Sequence, residues 1–405
     1  MQLTSLHSQY DLRAIFRRLE TDISKVSYIT GFGDDWHNLL AINPIDEFTL
    51  TGLAELPQLH DFIATHKDHL VVGYFSYDLG LALLEIPSQH TLQQPLIRLR
   101  AYDQFLSQSG EDLLGYQLSQ SDLDQFSLSE HDSISKPELS WGAEIPLDKY
   151  LDGFNTIQDY IRAGDIYQIN YTHQLQAKTE QSGRDLFAHF MKHKPVSHAA
   201  FLGFAEQEVL SLSPEGFIHV DGQDISTQPI KGTRPRSADD AEDRQLREQL
   251  ITSQKEQAEL FMIVDLLRND LGRVCETASV RVTDPKIVTA MPNVWHTHAN
   301  ITGHLKPEIS TMDALLSMFP GGSITGCPKR RAMEIIDELE ATSRGLYTGS
   351  IGYILPSGEA SFNIAIRTMI KRAESIKLGI GGGITIKSDG HEEYAETAAK
   401  AAFFR

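Results

Sequence analysis

Cysteine is scarce in this chain, and long apolar runs are missing from it. Only two cysteines, Cys275 and Cys327, occur in 405 residues, too few for a disulfide framework and without the spacing of a zinc site. The N-terminus MQLTSLHSQYDLRAIFRRLE lacks the apolar run and cleavage site of a signal peptide. No stretch approaches the ~20 uncharged apolar residues of a membrane span. These absences predict a cytoplasmic protein with no membrane partner.

Positive charge is also in deficit. The chain carries 36 Lys and Arg residues against 55 Asp and Glu residues, which gives a net charge of −19. A protein of this sign is poorly suited to a nucleic-acid backbone, so nucleic acid is not expected as a partner. The 41% of hydrophobic residues is enough for a sizeable core.

Strand patterns dominate the chain and are punctuated by a few helices. LVVGYFSYDLG (70–80), SFNIAIRTMI (361–370) and IKLGIGGGITI (376–386) predict strands. Apolar spacing predicts a helix over 147–161 with Gly164 as its stop, and another over 237–269 with Ser237 as its N-cap. This order predicts an α+β fold with large, mainly antiparallel sheets covered by helices. The polar stretch 118–140 predicts an exposed connection, with a boundary near residue 145.

Two pairs of glutamates stand out on predicted helices. Glu256 and Glu259 are three residues apart, and Glu393 and Glu396 repeat that spacing, so each pair shares one helical face. Such pairs are usually solvated, but Glu259 leads directly into the apolar run LFMIVDLL. Two helices that present carboxylates to one cleft suit a hard divalent cation such as Mg²⁺ better than zinc.

Other segments carry residues with more than one interpretation. Lys231 in PIKGTRPR (229–236) lies in a setting typical of a fixed loop at a strand end, although most lysines are solvated surface charges. The glycines of GIGGGI (379–384) let backbone N–H groups approach an anion, or they mark a bulge. Arg367, placed within the predicted strand 361–370, suits either an enclosed carboxylate ligand or an internal salt bridge. His296 is a candidate base, ligand or structural residue.

Taken together, these segments resemble the chorismate-utilising enzymes, which include the anthranilate, aminodeoxychorismate, isochorismate and salicylate synthases. The family's motifs occur in the family's order: SPE, PIKGT, LFMIVDLLRNDLGRV, FPGGSITGCPK, GSIGY, IAIRT, GGGI and EYAETAAK. The resemblance implies a sandwich of antiparallel sheets flanked by helices. It further implies a chorismate-binding catalytic domain at 146–405 and an anthranilate synthase component I-like region at 1–145.

The resemblance also implies the composition of the site. Mg²⁺ is expected to be held by Glu259 and Glu396, with Glu256 and Glu393 acting through water. The general acid corresponds to Glu215. The substrate is expected to contact Gln168, Thr233, His296, Ser323, Tyr347, Arg367, Gly381, Gly382, Gly383 and Lys400.

Lys231 selects among the family's reactions. The form PIKGT resembles the aminodeoxychorismate synthases, whereas anthranilate and salicylate synthases typically have alanine at that position. Lys231 is thus the implied nucleophile for amination at C4 of chorismate. Gln168 stands where water-using members have a lysine, which disfavours them. Two alternatives stay open, namely an anthranilate synthase component I and a non-catalytic chorismate-binding regulatory subunit.

An ammonia-supplying partner is expected as well. Neither Cys275 nor Cys327 belongs to a Cys-His-Glu constellation of the glutaminase type. The implied partner is a separate glutaminase subunit, and the implied pathway leads to p-aminobenzoate and folate.

Overall fold

The computed structural model describes residues 3–32, 35–129, 136–143, 145–292 and 294–404. Within these ranges the strands, numbered in chain order, are β1 (Leu3–Leu6), β2 (Val26–Gly31), β3 (Asn38–Ile42), β4 (Asp46–Leu50), β5 (Leu70–Phe75), β6 (Ile97–Tyr102), β7 (Phe105–Ser109), β8 (Asp112–Tyr116), β9 (Gly142–Ala143), β10 (Gln168–Lys178), β11 (His198–Gly203), β12 (Glu208–Ser213), β13 (Gly216–Asp221), β14 (Asp224–Thr227), β15 (Ile230–Pro235), β16 (Arg281–Ala290), β17 (Val294–His304), β18 (Gly326–Cys327), β19 (Ser350–Ile354), β20 (Ala360–Asn363), β21 (Thr368–Arg372) and β22 (Ser375–Thr385).

The α-helices in the same ranges are α1 (Leu12–Arg18), α2 (Leu56–Thr65), α3 (Tyr77–Leu83), α4 (Gln120–Asp124), α5 (Leu147–Ala163), α6 (Gly183–His193), α7 (Asp240–Thr252), α8 (Gln254–Val274), α9 (Thr311–Met318), α10 (Lys329–Leu339) and α11 (Gly390–Ala401). Short 3-10 helices occur at Ile23–Lys25, Leu53–Glu55, Gly322–Ile324 and Ala402–Phe404. None of the helices in the described ranges has the length and apolar character needed to cross a membrane.

The strands form two large antiparallel sheets. The first has 12 strands in the order β1-β8-β7-β3-β2-β11-β12-β21-β22-β10-β18, with β9 also paired to β10. The second has 10 strands in the order β15-β17-β14-β13-β20-β19-β5-β6-β4, with β16 also paired to β17. The predicted α+β class with large, mainly antiparallel sheets is confirmed.

The two sheets pack face to face, with helices on their outer faces. In β5, Leu70, Val72 and Tyr74 join an apolar core made from strands of both sheets. Val71 and Phe75 alternate with them and pack in the core that includes α8 to α10. Because side chains alternate between the two faces of a strand, a strand covered on both sides reads as the continuous apolar run LVVGYF. The sandwich implied by the resemblance is therefore present.

Strands from both sides of residue 145 share each sheet. β2 pairs with β11 in the first sheet, and β5 pairs with β19 in the second. The regions 1–145 and 146–405 are thus joined by continuous backbone ladders. The predicted connection 118–140 contains the short helix α4, and its residues 130–135 lie outside the described ranges.

The predicted helices agree with the structure except at one break. α5 ends at Gly164, whose φ of +83° is a conformation that favours glycine. The predicted helix 237–269 is instead two helices, α7 and α8, separated at Ser253. The Ser253 hydroxyl accepts a hydrogen bond from the backbone N–H of Glu256 at 3.3 Å and so caps α8. The N-cap of α7 is Asp239 rather than Ser237.

The prediction of one continuous strand over 361–370 is wrong. The chain leaves the second sheet after β20 and enters the first sheet at β21. Arg367 lies in the crossing with φ +49°, so it belongs to neither strand, and Ala365 and Met369 lie on either side of it. The apolar pattern was misleading because these side chains serve different cores, Ala365 between the sheets and Met369 on the outer side of the first sheet.

Candidate active site

Lys231 and Glu215 lie together beside the short helix 322–324. Lys231, in β15, donates a hydrogen bond from Nζ to the backbone carbonyl of Ser323 at 3.3 Å. Glu215 immediately precedes β13 and is only 6% exposed. Its carboxylate accepts hydrogen bonds from the Ser323 side chain and from the backbone N–H of Ile230. Ser323 therefore contacts both groups.

Burial shifts the proton affinities of these two groups in opposite directions. It raises the pKa of Glu215, and the positive charge of Lys231 only partly offsets this increase. Burial lowers the pKa of Lys231, against the opposing effect of Glu215 and Glu259. The site therefore weakens the charged form of both groups relative to the same groups in water. A neutral amine is a nucleophile and a protonated carboxyl is an acid, so the pair is suited to covalent catalysis with proton transfer.

Carboxylates from α8 and α11 lie near Lys231 and range from half-buried to exposed. Burial raises the pKa of Glu259 and of Glu393, and the charge of Glu396 adds to both increases. Burial also acts to raise the pKa of Glu396, but the charges of Lys400, Lys255 and Lys231 together outweigh it, so the net shift is downward. The Lys400 Nζ lies 2.9 Å from Glu396 Oε1. Glu259 and Glu396, from different helices, are thus close enough for their charges to interact.

Glu256 has a different partner. Its Oε1 accepts a hydrogen bond from Arg234 Nη1 at 2.8 Å, while its buried Oε2 has no partner among the described residues. A Cβ at Gly232 would lie 3.2 Å from that oxygen, at φ +90°, so glycine gives Glu256 its space. Arg234 was not singled out from the sequence, although its position in the strand of Lys231 was an available signal.

These carboxylates fit a hard divalent cation. A bound cation would stabilise the ionised forms of Glu259 and Glu393, whose pKa values are raised. It would also give a partner to the buried Oε2 of Glu256. Mg²⁺ is usually bound through one or two protein carboxylates, with substrate and water completing its octahedron. In the described part of the chain no three His, Cys, Asp or Glu side chains gather as a ready-made metal site. The donor set therefore fits a site of that kind and not a closed protein cage.

Arg367 is a partly buried cation without a carboxylate partner in the described ranges. Burial lowers its pKa to about 10, and its guanidinium lies 4.8 Å from the centroid of the Phe403 ring. An unpaired buried charge is costly, so Arg367 is suited to an anionic ligand. The interpretation of Arg367 as an internal salt bridge is wrong for the described residues.

His296 and Thr233 form a neutral pair near Arg367. They face each other across the β15–β17 ladder, and Thr233 Oγ1 lies 2.8 Å from His296 Nδ1. Burial, together with the charge of Arg367, lowers the pKa of His296 to about 4. His296 is therefore a neutral hydrogen-bonding residue at physiological pH.

Gly381 to Gly383 lie in an unbroken ladder between β22 and β10, which excludes a bulge. β21 pairs with β22 only over residues 375–378, so one edge of β22 is open beyond Leu378. Lys400 Nζ donates to the Gly381 carbonyl at 2.6 Å from that edge. Because residues two apart in a strand point their backbone groups to the same side, the N–H groups of Gly381 and Gly383 face the open edge and can bind an anion.

The glycines also make space for neighbouring side chains. A Cβ at Gly383 would lie 2.8 Å from Gln168 Nε2, and one at Gly382 would lie 3.1 Å from Glu393 Oε2. Gln168 is 3% exposed, and its Oε1 has no hydrogen-bond partner among the described residues. Tyr347 packs its ring against Gly379, and burial raises the pKa of its hydroxyl, which stays protonated.

The structure thus brings the predicted residues together in three connected groups. Glu215, Lys231 and Ser323 form the first, and Thr233, His296 and Arg367 the second. The third surrounds β22, where Glu393 and Lys400 lie against Gly382 on one face, and Gln168 and Tyr347 lie against Gly383 and Gly379 on the other. Sequence reasoning missed Arg234 and the buried pair Glu340–Arg344.

Comparisons with known proteins agree on one family. A family model described as chorismate binding enzyme matches residues 25–405. Aminodeoxychorismate synthase component 1 of Escherichia coli (strain K12) is 36% identical over 356 residues, which cover 84% of this chain and 78% of that protein. Anthranilate synthase component 1 1 of Haloarcula marismortui is also 36% identical, over 360 residues that cover 81% of this chain and 73% of that protein.

A solved structure agrees. Anthranilate synthase component I from Streptococcus pneumoniae TIGR4 superposes with a TM-score of 0.80 at 27% identity, and covers 98% of this chain and 95% of that chain. The match of the family model to most of the chain, the two relatives and this structure lead to one conclusion. The chain belongs to the chorismate binding enzyme family.

Proposed function

We propose that the chain aminates chorismate with ammonia to give 4-amino-4-deoxychorismate, a step towards p-aminobenzoate and folate. The observation that carries the proposal is the placement of Lys231, a lysine whose pKa is lowered by burial, beside the buried acid Glu215. A lysine in this setting has a chemical use in amination at C4, and the form PIKGT resembles the aminodeoxychorismate synthases.

The reaction proceeds by two displacements. The neutral amine of Lys231 forms a bond to C2 of chorismate, the ring double bonds shift, and the C4–oxygen bond breaks. Glu215 gives its proton to the departing hydroxyl, which leaves as water. Ammonia then forms a bond to C4, the double bonds shift back, and the C2–nitrogen bond breaks to release Lys231 as a neutral amine. The surplus proton on the new C4 amine returns to Glu215.

The remaining groups of the site orient the substrate. Arg367 and the N–H groups of Gly381 and Gly383 are suited to its carboxylates, and Tyr347 supplies a neutral hydroxyl donor. Glu259 and Glu396 would hold Mg²⁺, with Glu256 and Glu393 acting through water. When bound, Mg²⁺ neutralises the ring carboxylate and strengthens electron withdrawal next to the reacting carbon.

Ammonia is proposed to come from a partner glutaminase subunit in the cytoplasm. Burial raises the pKa of Cys275 to about 11, and it also raises the pKa of Cys327. A thiol with a raised pKa is a poor nucleophile at neutral pH. Neither cysteine of the chain is therefore suited to release ammonia from glutamine.

Anthranilate synthase is the second candidate. It is favoured by a relative of that name with the same 36% identity as the aminodeoxychorismate synthase component. In that reaction ammonia attacks C2 and pyruvate is lost, so an enzyme amine at C2 has no role. The lysine at position 231 therefore favours C4 amination. A non-catalytic regulatory subunit is a more remote candidate, since both Glu215 and the glutamates of α8 and α11 are retained.

Product identification tests these alternatives directly. The purified chain is incubated with chorismate, Mg²⁺ and an ammonium salt, and the product is identified by mass before and after treatment with an added lyase. We expect 4-amino-4-deoxychorismate, which the lyase converts to p-aminobenzoate. Anthranilate with pyruvate would contradict the proposal. Bound but unchanged chorismate would favour the regulatory subunit.

A further inference from the structure

A buried ion pair lies directly behind the candidate active site. Glu340 and Arg344 are 7% and 6% exposed and follow α10 in the chain. Arg344 Nη2 donates to Glu340 Oε1 at 2.7 Å, and Arg344 Nε donates to Glu340 Oε2 at 2.9 Å. This two-point geometry is the strongest that an arginine and a carboxylate can form.

The ion pair fills a gap in the first sheet. β10 pairs with β22 along its whole length, but among the described residues its other side pairs only with β18 at residues 168–169 and with β9 at residues 175–176. In the gap, Glu340 Oε1 accepts from the Thr172 N–H at 2.9 Å, and Arg344 Nη2 donates to the Asn170 carbonyl at 2.6 Å. Buried backbone groups need such partners, so the ion pair takes the place of a missing strand.

The other guanidinium nitrogen reaches two further segments of the site. Arg344 Nη1 donates to the Ile324 carbonyl at 2.9 Å and to Thr348 Oγ1 at 3.3 Å. Ile324 follows Ser323, and Thr348 follows Tyr347. The strand held through Asn170 begins at Gln168 and runs opposite Gly381 and Gly383. One side chain thereby connects the segments that carry Ser323, Tyr347 and Gln168.

We propose that Arg344, oriented by Glu340, is a positioning residue that fixes these three segments relative to one another. Its described partners are backbone and side-chain groups of the wall, so it acts through the groups that would contact substrate. Lysine does not replace it, because a single ammonium lacks the planar fork needed to reach five acceptor atoms on four residues. The inference rests on the proposed function only in that the pocket takes chorismate.

The kinetic test compares Arg344→Lys with Arg100→Lys. Arg100 is a matched control because it is also buried, pairs with Glu47 at 2.8 Å and donates to the Gly203 carbonyl, with no site residue among its described partners. We expect Arg344→Lys to lower kcat/KM for chorismate consumption about tenfold to a hundredfold, through both kcat and KM. Arg100→Lys should lower Tm comparably while leaving kcat and KM unchanged.

A third variant sharpens the comparison. Glu340→Gln keeps an acceptor for Thr172 but loses the charge, so it should cause a smaller loss of kcat/KM in the same direction. Equal kinetic losses in Arg344→Lys and Arg100→Lys, or a lowered Tm with intact kinetics in Arg344→Lys, would overturn the positioning role.

Hydrogen exchange without substrate separates this inference from the proposed function. In Arg344→Lys, protection should fall at 168–172, 323–325 and 346–348 and stay at the wild-type level in β5 and β19. Loss spread evenly over both sheets would overturn the positioning role. Absence of chorismate turnover in the wild type would contradict the proposed function and leave the exchange result decisive for Arg344.

Discussion

Two cationic side chains, each near a buried glutamate, donate to adjacent carbonyls of the same short helix, and they differ in how directly the glutamate binds them. Lys231 donates to the carbonyl of Ser323 and Arg344 donates to that of Ile324. Arg344 binds its glutamate at two points, and the charge of Glu340 outweighs the effect of burial, so the pKa of Arg344 is raised. For Lys231 burial prevails over Glu215, and its pKa is lowered.

This difference indicates that Glu340 and Arg344 have a structural role, whereas Glu215 and Lys231 are suited to catalysis. A buried ion pair such as Glu340–Arg344, in which the donors and acceptors are hydrogen-bonded, stabilises one conformation of the chain. Lys231 and Glu215 lack such a direct two-point contact, so burial shifts both pKa values towards the neutral forms, at a cost in stability. The reactive pair is held in place by the satisfied one, through neighbouring residues of the same helix.

The largest expected effect comes from exchanging each cation for methionine. Lys231→Met should lower the amination rate by about 10³-fold or more, because the nucleophile is lost. The free energy of unfolding should stay level or rise, since a poorly paired buried amine is removed. Arg344→Met should lower the free energy of unfolding by about 3–5 kcal/mol, because Glu340 is left buried and unpaired.

Steady-state amination assays and urea unfolding measure both quantities on the same preparations. If Lys231→Met lowers the free energy of unfolding as much as Arg344→Met does, the proposed difference in stability between the two pairs is contradicted.

Glu215→Gln tests the acid of the reactive pair. We expect a loss in kcat of about 10²–10⁴-fold, since an amide keeps the shape but has no acidic proton. In the wild type the rate should fall at low pH, where Lys231 becomes protonated, and at high pH, where Glu215 loses its proton. The pH profile of Glu215→Gln should therefore lack the decline at high pH. Persistence of that decline would assign it to another group.

Glu396→Gln tests the carboxylates of α8 and α11. Mg²⁺ binding, measured by calorimetry with and without chorismate, should weaken by about tenfold or more when a direct ligand is lost. Glu256→Gln is the matched control, because Glu256 is already paired with Arg234, and its effect should be smaller. Equal effects of the two substitutions would contradict the assignment of Glu396 as the direct ligand.

The smallest expected effect concerns Asp78, a further buried carboxyl group near Arg344. Burial raises its pKa to about 7, above the ordinary value in the unfolded chain. The native state therefore retains a proton that the unfolded state releases, and this contribution to stability is lost as pH rises through about 4 to 7. Asp78→Asn should reduce the fall in unfolding free energy between about pH 5 and pH 8 by about 1–3 kcal/mol. Urea unfolding at the two pH values measures this change, and an unaltered pH dependence would contradict it.

The fold was predictable where one physical pattern dominates a segment. The helix over 147–161 and the strand over 376–386 have a single periodicity and a clear stop, and both are present. The segment 361–370 was misread because one apolar run serves two cores, which local alternation does not reveal. The break at Ser253 was missed because a serine inside an amphipathic pattern gives little sign that it caps a new helix.

The candidate site was predictable through motifs more than through periodicity. Lys231, Glu215 and Ser323 lie up to 108 residues apart in the sequence, and their proximity depends on the sandwich. The roles of Glu340 and Arg344 follow from a gap between β18 and β9, which is a property of the sheet and has no local signature.

The central claim, that Lys231 is a nucleophile, is tested most directly by intact-mass measurement under ammonia starvation. The chain is mixed with chorismate and Mg²⁺ without an ammonium salt, and its mass is compared with that of Lys231→Ala. The account predicts an adduct on the wild type with the mass of chorismate less one water, located at Lys231 by peptide mapping. Lys231→Ala should show no such adduct. Equal turnover of wild type and Lys231→Ala on ammonium addition, with no adduct on either, would contradict the account.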